Sequence, residues 1–109
     1  GGGGGGGGGG EDPACRVQAD KKLHCGNTPN VAMHRNPWAS SPVVNTLRSR
    51  NSWFECLFPG ERHSGGNTTW YWTLGDDNGN RGFVPGSALN TPDSFDANPS
   101  SQGLVKCGD

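Results

Sequence analysis

Isoleucine is missing from this chain, methionine and tyrosine occur once each, and apolar residues fill only 29% of 109 positions. So little apolar material builds one small core at most. Ordering the backbone costs about 1–2 kcal/mol per residue, so a core this thin needs covalent help. No apolar run is long enough to cross a bilayer. No stretch sustains apolar residues at i, i+3, i+4, i+7, which excludes long helices. An excess of either charge is lacking as well: nine basic residues face ten acidic ones, for a net charge of −1. Without a basic stripe or a block of like charge, nucleic acid and anionic membrane are excluded as expected partners. No signal-peptide pattern opens the chain, which fits a mature secreted protein.

What is present begins with four cysteines, Cys15, Cys25, Cys56 and Cys107. An even count in a short chain rich in Gly and Asn reads as a disulfide framework made in an oxidising compartment. No pair has the C-x₂-C spacing that structural zinc favours, so no metal is expected. Four cysteines allow three pairings, and sequence does not choose among them. The expected one is Cys15–Cys25, closing a short hairpin, with Cys56–Cys107 tying the tail to the core.

Several short runs rich in β-formers lie between turn signals. CRVQADKKLHC (15–25) reads as a cross-linked hairpin turning at Ala19–Lys22. VAMHR (31–35), PVVNTLR (42–48), SWFECLF (52–58), TTWYWTL (68–74) and RGFVPGSAL (81–89) follow, the last ending in a 3₁₀ turn. Five or six strands are expected. Strand 52–58 alternates Phe54, Cys56 and Phe58 against Trp53, Glu55 and Leu57, and the glutamate puts the cysteine side inward. For 70–74 the pattern leaves the inward side open. GDDNGN (75–80) lacks the glutamate of an EF-hand loop, whereas Asn78-Gly79 predicts a type I′ hairpin turn. The tail 91–103 is polar and turn-rich.

RNPWASSPVVNTL, SWFECLF, TWYWTLGDDNG and RGFVPGSAL, in that order, resemble the bacterial SH3-like (SH3b) domain over about residues 31–90. The resemblance implies an all-β, five- to six-stranded barrel or sandwich, here stapled by disulfides. Pro85 is followed by Gly86, Ser87 and Ala88 where peptide-binding SH3 domains carry a tyrosine, which counts against proline-rich ligands. Secreted relatives that bind cell wall keep a glycan- or wall-binding role open.

Catalytic signatures are weak. Cys56 with His63 could suggest a thiol nucleophile and base, but three further cysteines make Cys56 half of a disulfide. His24, His34 and His63 lie in separate segments without metal-ligand spacing. No G-x-S-x-G is present. Asn67-Thr68-Thr69 matches the N-glycosylation acceptor pattern, a chance match if the chain is bacterial, as the SH3b likeness suggests. The expectation is therefore a binding module without catalysis or cofactor. A body this small leaves aromatic side chains at the surface, and Trp38 and Trp53 are the leading candidates for partner contact.

The ten leading glycines remain: Gly1, Gly2, Gly3, Gly4, Gly5, Gly6, Gly7, Gly8, Gly9 and Gly10. A flexible glycine tether reaches about 5–6 Å × √n. The same run extended fits a groove too narrow for side chains and spans about 33–36 Å. On that second reading each of the ten is a partner-binding residue. A terminal glycine run is also a sortase acceptor by analogy. A glycine arm (1–14) ahead of a disulfide-bearing β body (15–109) is similar in plan to the adaptor subunit of Streptomyces umbrella toxin particles. That similarity implies Gly1–Gly10 docked in a large secreted helical-repeat scaffold, with the body holding a lectin-like subunit. A small secreted protease inhibitor is the remaining alternative, though no reactive loop is identifiable.

Overall fold

Runs of β-branched and aromatic residues, too short and too irregular for helix, take extended backbone wherever a neighbour completes their hydrogen bonds. The computed structural model describes residues 15–91 and 93–108. The partner contact expected of Gly1, Gly2, Gly3, Gly4, Gly5, Gly6, Gly7, Gly8, Gly9 and Gly10, in the arm 1–14, therefore lies outside the described residues. Among the described residues eight strands form, more than the five or six expected: β1 (Arg16–Val17), β2 (Leu23–Gly26), β3 (Val31–His34), β4 (Val43–Leu47), β5 (Asn51–Phe54), β6 (Cys56–Pro59), β7 (Thr69–Leu74) and β8 (Arg81–Pro85). They make two antiparallel sheets, a three-stranded one ordered β1-β2-β5 and a five-stranded one ordered β4-β3-β8-β7-β6. The chain is all-β and stapled by the two expected disulfides, Cys15–Cys25 and Cys56–Cys107.

One extra strand comes from a corner. The 52–58 run reads as one strand in sequence, but at Glu55 it leaves the small sheet and enters the large one. The Glu55 N–H donates to Trp72 O at 2.8 Å there. Strands that change sheet in this way make the corners of orthogonal packings. The corner resets the alternation: Phe54 faces the core before it and Leu57 after it, so Phe58, expected inside, turns out and is 36% exposed. Cys56 is buried on that outer side, where its bridge to Cys107 brings the tail against it.

At Trp70, β7 is covered on both sides. Thr69, Tyr71 and Thr73 face the core, yet Trp70 on the opposite side is only 2% exposed. Its indole N–H donates to Glu61 O at 2.7 Å, and His34 and His63 meet its ring edge-on at 6.0 and 6.1 Å. Gly60 permits this cover, since a Cβ there would strike Pro37 and the Trp70 ring.

The polar tail docks through one buried acid. It folds as a short helix, α1 (Asp93–Ala97), and a 3₁₀ turn over Pro99–Gln102. Phe95 and Leu104 join the core. Asp96 Oδ1 accepts from Tyr71 OH at 2.6 Å and from Thr91 Oγ1 at 2.7 Å, while its carbonyl accepts from Thr69 Oγ1 at 2.6 Å. Burial first, and this bond second, push the Tyr71 hydroxyl far above the ordinary tyrosine range.

The turn between β7 and β8 is not type I′. Neither Asn78 nor Gly79 has positive φ; among non-glycine residues described, that conformation falls on Lys21 and Asn30. A six-residue loop, 75–80, lies instead against β4. Asn45 fastens it by donating to Asn78 O at 3.0 Å and Asn80 O at 2.8 Å, and by accepting from Asp77 N at 3.0 Å. A Cβ at Gly75 would collide with the Asn45 side chain.

Both edges of the large sheet are thereby closed. On β4, Thr46 O accepts from Asp76 N at 2.9 Å, and just past its end Arg48 N donates to Asp76 Oδ2 at 2.6 Å. Along β6, Leu57 N donates to Val105 O at 3.1 Å and Leu57 O accepts from Cys107 N at 2.8 Å. Covered edges of this kind leave no template for an added strand.

These contacts set measurable stabilities. Replacing Cys56 and Cys107 together by Ala opens a covalent loop of sequence separation 51 and should lower unfolding free energy by about 4 kcal/mol in denaturant titration. Asp96→Ala, which strands two buried hydroxyls, should cost about 3 kcal/mol against about 1 for Tyr71→Phe in the same assay.

Candidate interaction surfaces

Register and alternation decide which side chains the large sheet turns outward. Trp72 pairs with Phe83 and Cys56, Trp70 with Phe58, and His34 with Phe83 and Val43. Pairs directly opposite share a face, so an aromatic row crosses the outer side of the sheet. Ring centroids of Trp72 and Phe83 stand 4.7 Å apart, and those of Phe83 and Phe58 6.3 Å. Trp72 and Phe83 are half-buried, Phe58 is open, and Val43 is 58% exposed. Charges rim the row: Arg81 Nε donates to Glu55 Oε1 at 2.7 Å, and the Lys106 ammonium lies 5.5 Å from the Phe58 ring centre.

Of the two tryptophans nominated from sequence, Trp38 sits in the β3–β4 loop and is 43% exposed. Its loop is held by Ala39 N donating to Glu61 Oε1 at 2.8 Å and by Glu61 N donating to Pro37 O at 2.9 Å. Trp53 lies on β5 of the other sheet, opposite His24 of β2, and is half-buried. The structure thus does not bring Trp38 and Trp53 into one site. Lys22 Nζ stands 4.9 Å from the Trp53 ring centre, a cation–π distance. Two shallow clefts, of about 300 and 270 Å³, share Trp53, Asn51 and Ser52 as a common wall.

The aromatic row escapes a sequence reading because plain alternation assigns Phe58 to the core and leaves the sidedness of 70–74 open. A signal is present all the same: Trp72 and Phe83 each alternate with a core residue, Tyr71 and Val84.

The thiol-base pair does not form. Cys56 is bonded to Cys107. His63 is engaged at both ring nitrogens, Nδ1 by Gly65 N at 3.1 Å and Nε2 by Thr69 O at 2.9 Å. Among the described residues no three His, Cys, Asp or Glu side chains gather as a metal site. The acids of the 75–80 loop are occupied by protein donors. Arg48 holds the Asp77 carboxyl below its ordinary value. Asp76 is lowered too: its burial works the other way, but the N–H groups of Ser49 and Arg48 and the Ser49 hydroxyl outweigh it. In the β1–β2 turn the Lys22 N–H, then His24, lower Asp20.

Compared with known protein families, with curated proteins and with solved structures, the chain finds no match in any of the three. Likeness to SH3b domains and to a toxin-particle adaptor therefore rests on motif order and plan alone.

Carboxyls lowered on folding stabilise the protein above their unfolded value near 3.8. That contribution disappears as pH falls through the lower folded values. The thermal midpoint should hold from about pH 6 to 4 and drop below that, and Asp76→Asn should flatten the drop. Calorimetry over this range checks it.

Proposed function

We propose that this protein is a non-enzymatic, secreted adaptor that joins two protein subunits of an extracellular complex. The reading divides the labour between arm and body. Gly1–Gly10 enter a scaffold groove as side-chain-free backbone, and the β body receives the second subunit. Two disulfides suit an extracellular setting, and no helix among the described residues is long and apolar enough to cross a membrane.

The observation that carries the reading is the outward aromatic row of Phe58, Trp72 and Phe83 on a sheet whose edges are both closed. With the edges occupied, a partner engages side chains on the face. Half-buried Trp and Phe in contact, rimmed by Arg81, Glu55 and Lys106, match the apolar centre and polar rim of protein interfaces. Trp38, on the loop that follows His34 and Arg35, adds a further exposed aromatic to the same sheet's surroundings.

Affinity purification from culture medium with tagged protein tests both halves. Deleting residues 1–10 should abolish capture of one partner and leave the other. The double variant Trp72→Ala/Phe83→Ala should do the reverse, weakening the second partner by about 100-fold. Unchanged capture by both variants would remove the adaptor reading.

A further inference from the structure

The small sheet, unlike the large one, keeps an open edge. β5 pairs only with β2, and the register fixes which of its backbone groups face outward. Asn27 N donates to Arg50 O at 2.8 Å, continuing that ladder as a hydrogen-bonded pair. Bonded and unbonded pairs alternate along an antiparallel ladder, so Cys25–Ser52 is bonded, while Asn51 and Trp53 turn their N–H and C=O away from β2. Gly26, opposite Asn51, agrees: its carbonyl leaves the ladder and accepts from Asn90 N at 2.8 Å. Of the outward groups, Trp53 O accepts from Thr73 Oγ1 at 2.7 Å. The Asn51 N–H, the Asn51 carbonyl and the Trp53 N–H take no protein partner among the described residues.

The facing wall is built the same way. Trp72 O accepts from Glu55 N, and past that residue β7 pairs with no strand on its β6 side. Gly75 N donates to Asn80 O at 3.3 Å, so the same alternation points the Leu74 N–H and C=O away from β8. The two strands part at the Glu55 corner. A cleft of about 270 Å³ opens there, with Asn51–Trp53 on one wall and Thr73–Asp76 on the other. Asp76 Oδ2 takes bonds from Arg48 and Ser49, while Oδ1 has no protein donor among the described residues.

We infer that this cleft binds an extended peptide segment of another protein, which pairs as an added strand with the outward edge of β5. Unpaired donors and an acceptor on alternate residues of an edge strand match the backbone of an extended chain. Backbone on both walls of a small cleft favours small side chains in the ligand, and the free Asp76 oxygen favours a lysine or arginine at that end. A proline-rich ligand would lack the N–H groups that the Asn51 carbonyl needs. The site lies on the opposite sheet from the aromatic row and does not depend on the adaptor reading.

A phage-displayed library of random peptides, panned on the intact, disulfide-bonded protein, supplies the probe, and the enriched sequence is synthesised. Its binding should shift amide signals at residues 51–53 and 73–76 and slow hydrogen exchange at Asn51 and Trp53. N-methylation of the peptide, one position at a time, should weaken binding by at least about tenfold at alternate positions and little between them. Asn51→Pro removes an outward N–H that the β2 ladder does not use, so it should keep a native-like spectrum and lose affinity by a similar factor. Trp72→Ala/Phe83→Ala should bind the peptide unchanged. If Asn51→Pro fails to fold, the N-methyl scan decides alone. No enriched sequence, shifts gathered instead at Phe58, Trp72 and Phe83, or N-methyl sensitivity without alternation would each overturn the site.

Discussion

A buried phenol needs a partner, and Tyr71 finds its partner in the tail. Its ring packs against Phe54 of the small sheet at 6.1 Å, and its hydroxyl reaches Asp96 of α1. One side chain on the central part of β7 therefore touches both sheets' shared core and the segment that closes it. An unpaired buried hydroxyl would cost about 1–3 kcal/mol, so the tail's docked position is specified and not merely tolerated. Thr91 and Thr69 add bonds to the same residue, which turns a polar stretch into a structural lid over the core.

Closure then determines what the molecule can offer to others. The tail runs along β6 and the 75–80 loop lies against β4, so backbone hydrogen-bonding groups at both margins of the large sheet are used internally. What stays available is lateral: an aromatic row on one sheet and the half-buried Trp53 on the other. The two surfaces differ in kind. The first is ring against ring with charge at the rim, and the second is one ring beneath the Lys22 ammonium.

Much of the fold can be read from residue order. Short alternating runs mark the strand positions within a residue or two, and the thin core points to both disulfides, although spacing alone does not select their pairing. Where reading fails, the cause is tertiary. Nothing in SWFECLF marks Glu55 as a corner, because the signal is a bond to Trp72, which lies in another strand. The sidedness of TWYWTL is ambiguous for a physical reason: Tyr71 is buried by the core and Trp70 by the 36–41 and 60–63 loops, so both faces look apolar. Asn78-Gly79 carries the local preference for a tight turn, but Asn45 and Arg48 capture a longer loop. Asp96 reads as a surface acid until Tyr71 is placed beside it. The nominated Trp38 and Trp53 do sit at or near the surface, yet the row of Phe58, Trp72 and Phe83 requires the corner to be known.

The bridge between Cys15 and Cys25 has a mechanical meaning. Tension applied to the amino-terminal segment enters the body at Cys15 and passes through sulfur directly into β2, whose neighbour β5 carries Phe54 into the core. The intervening residues 16–24, including the two-residue strand β1, are shunted out of the load path. A domain hung from its first residues would thus be held by a covalent anchor seated on a core strand, with no need to peel a weak edge strand before resisting the pull.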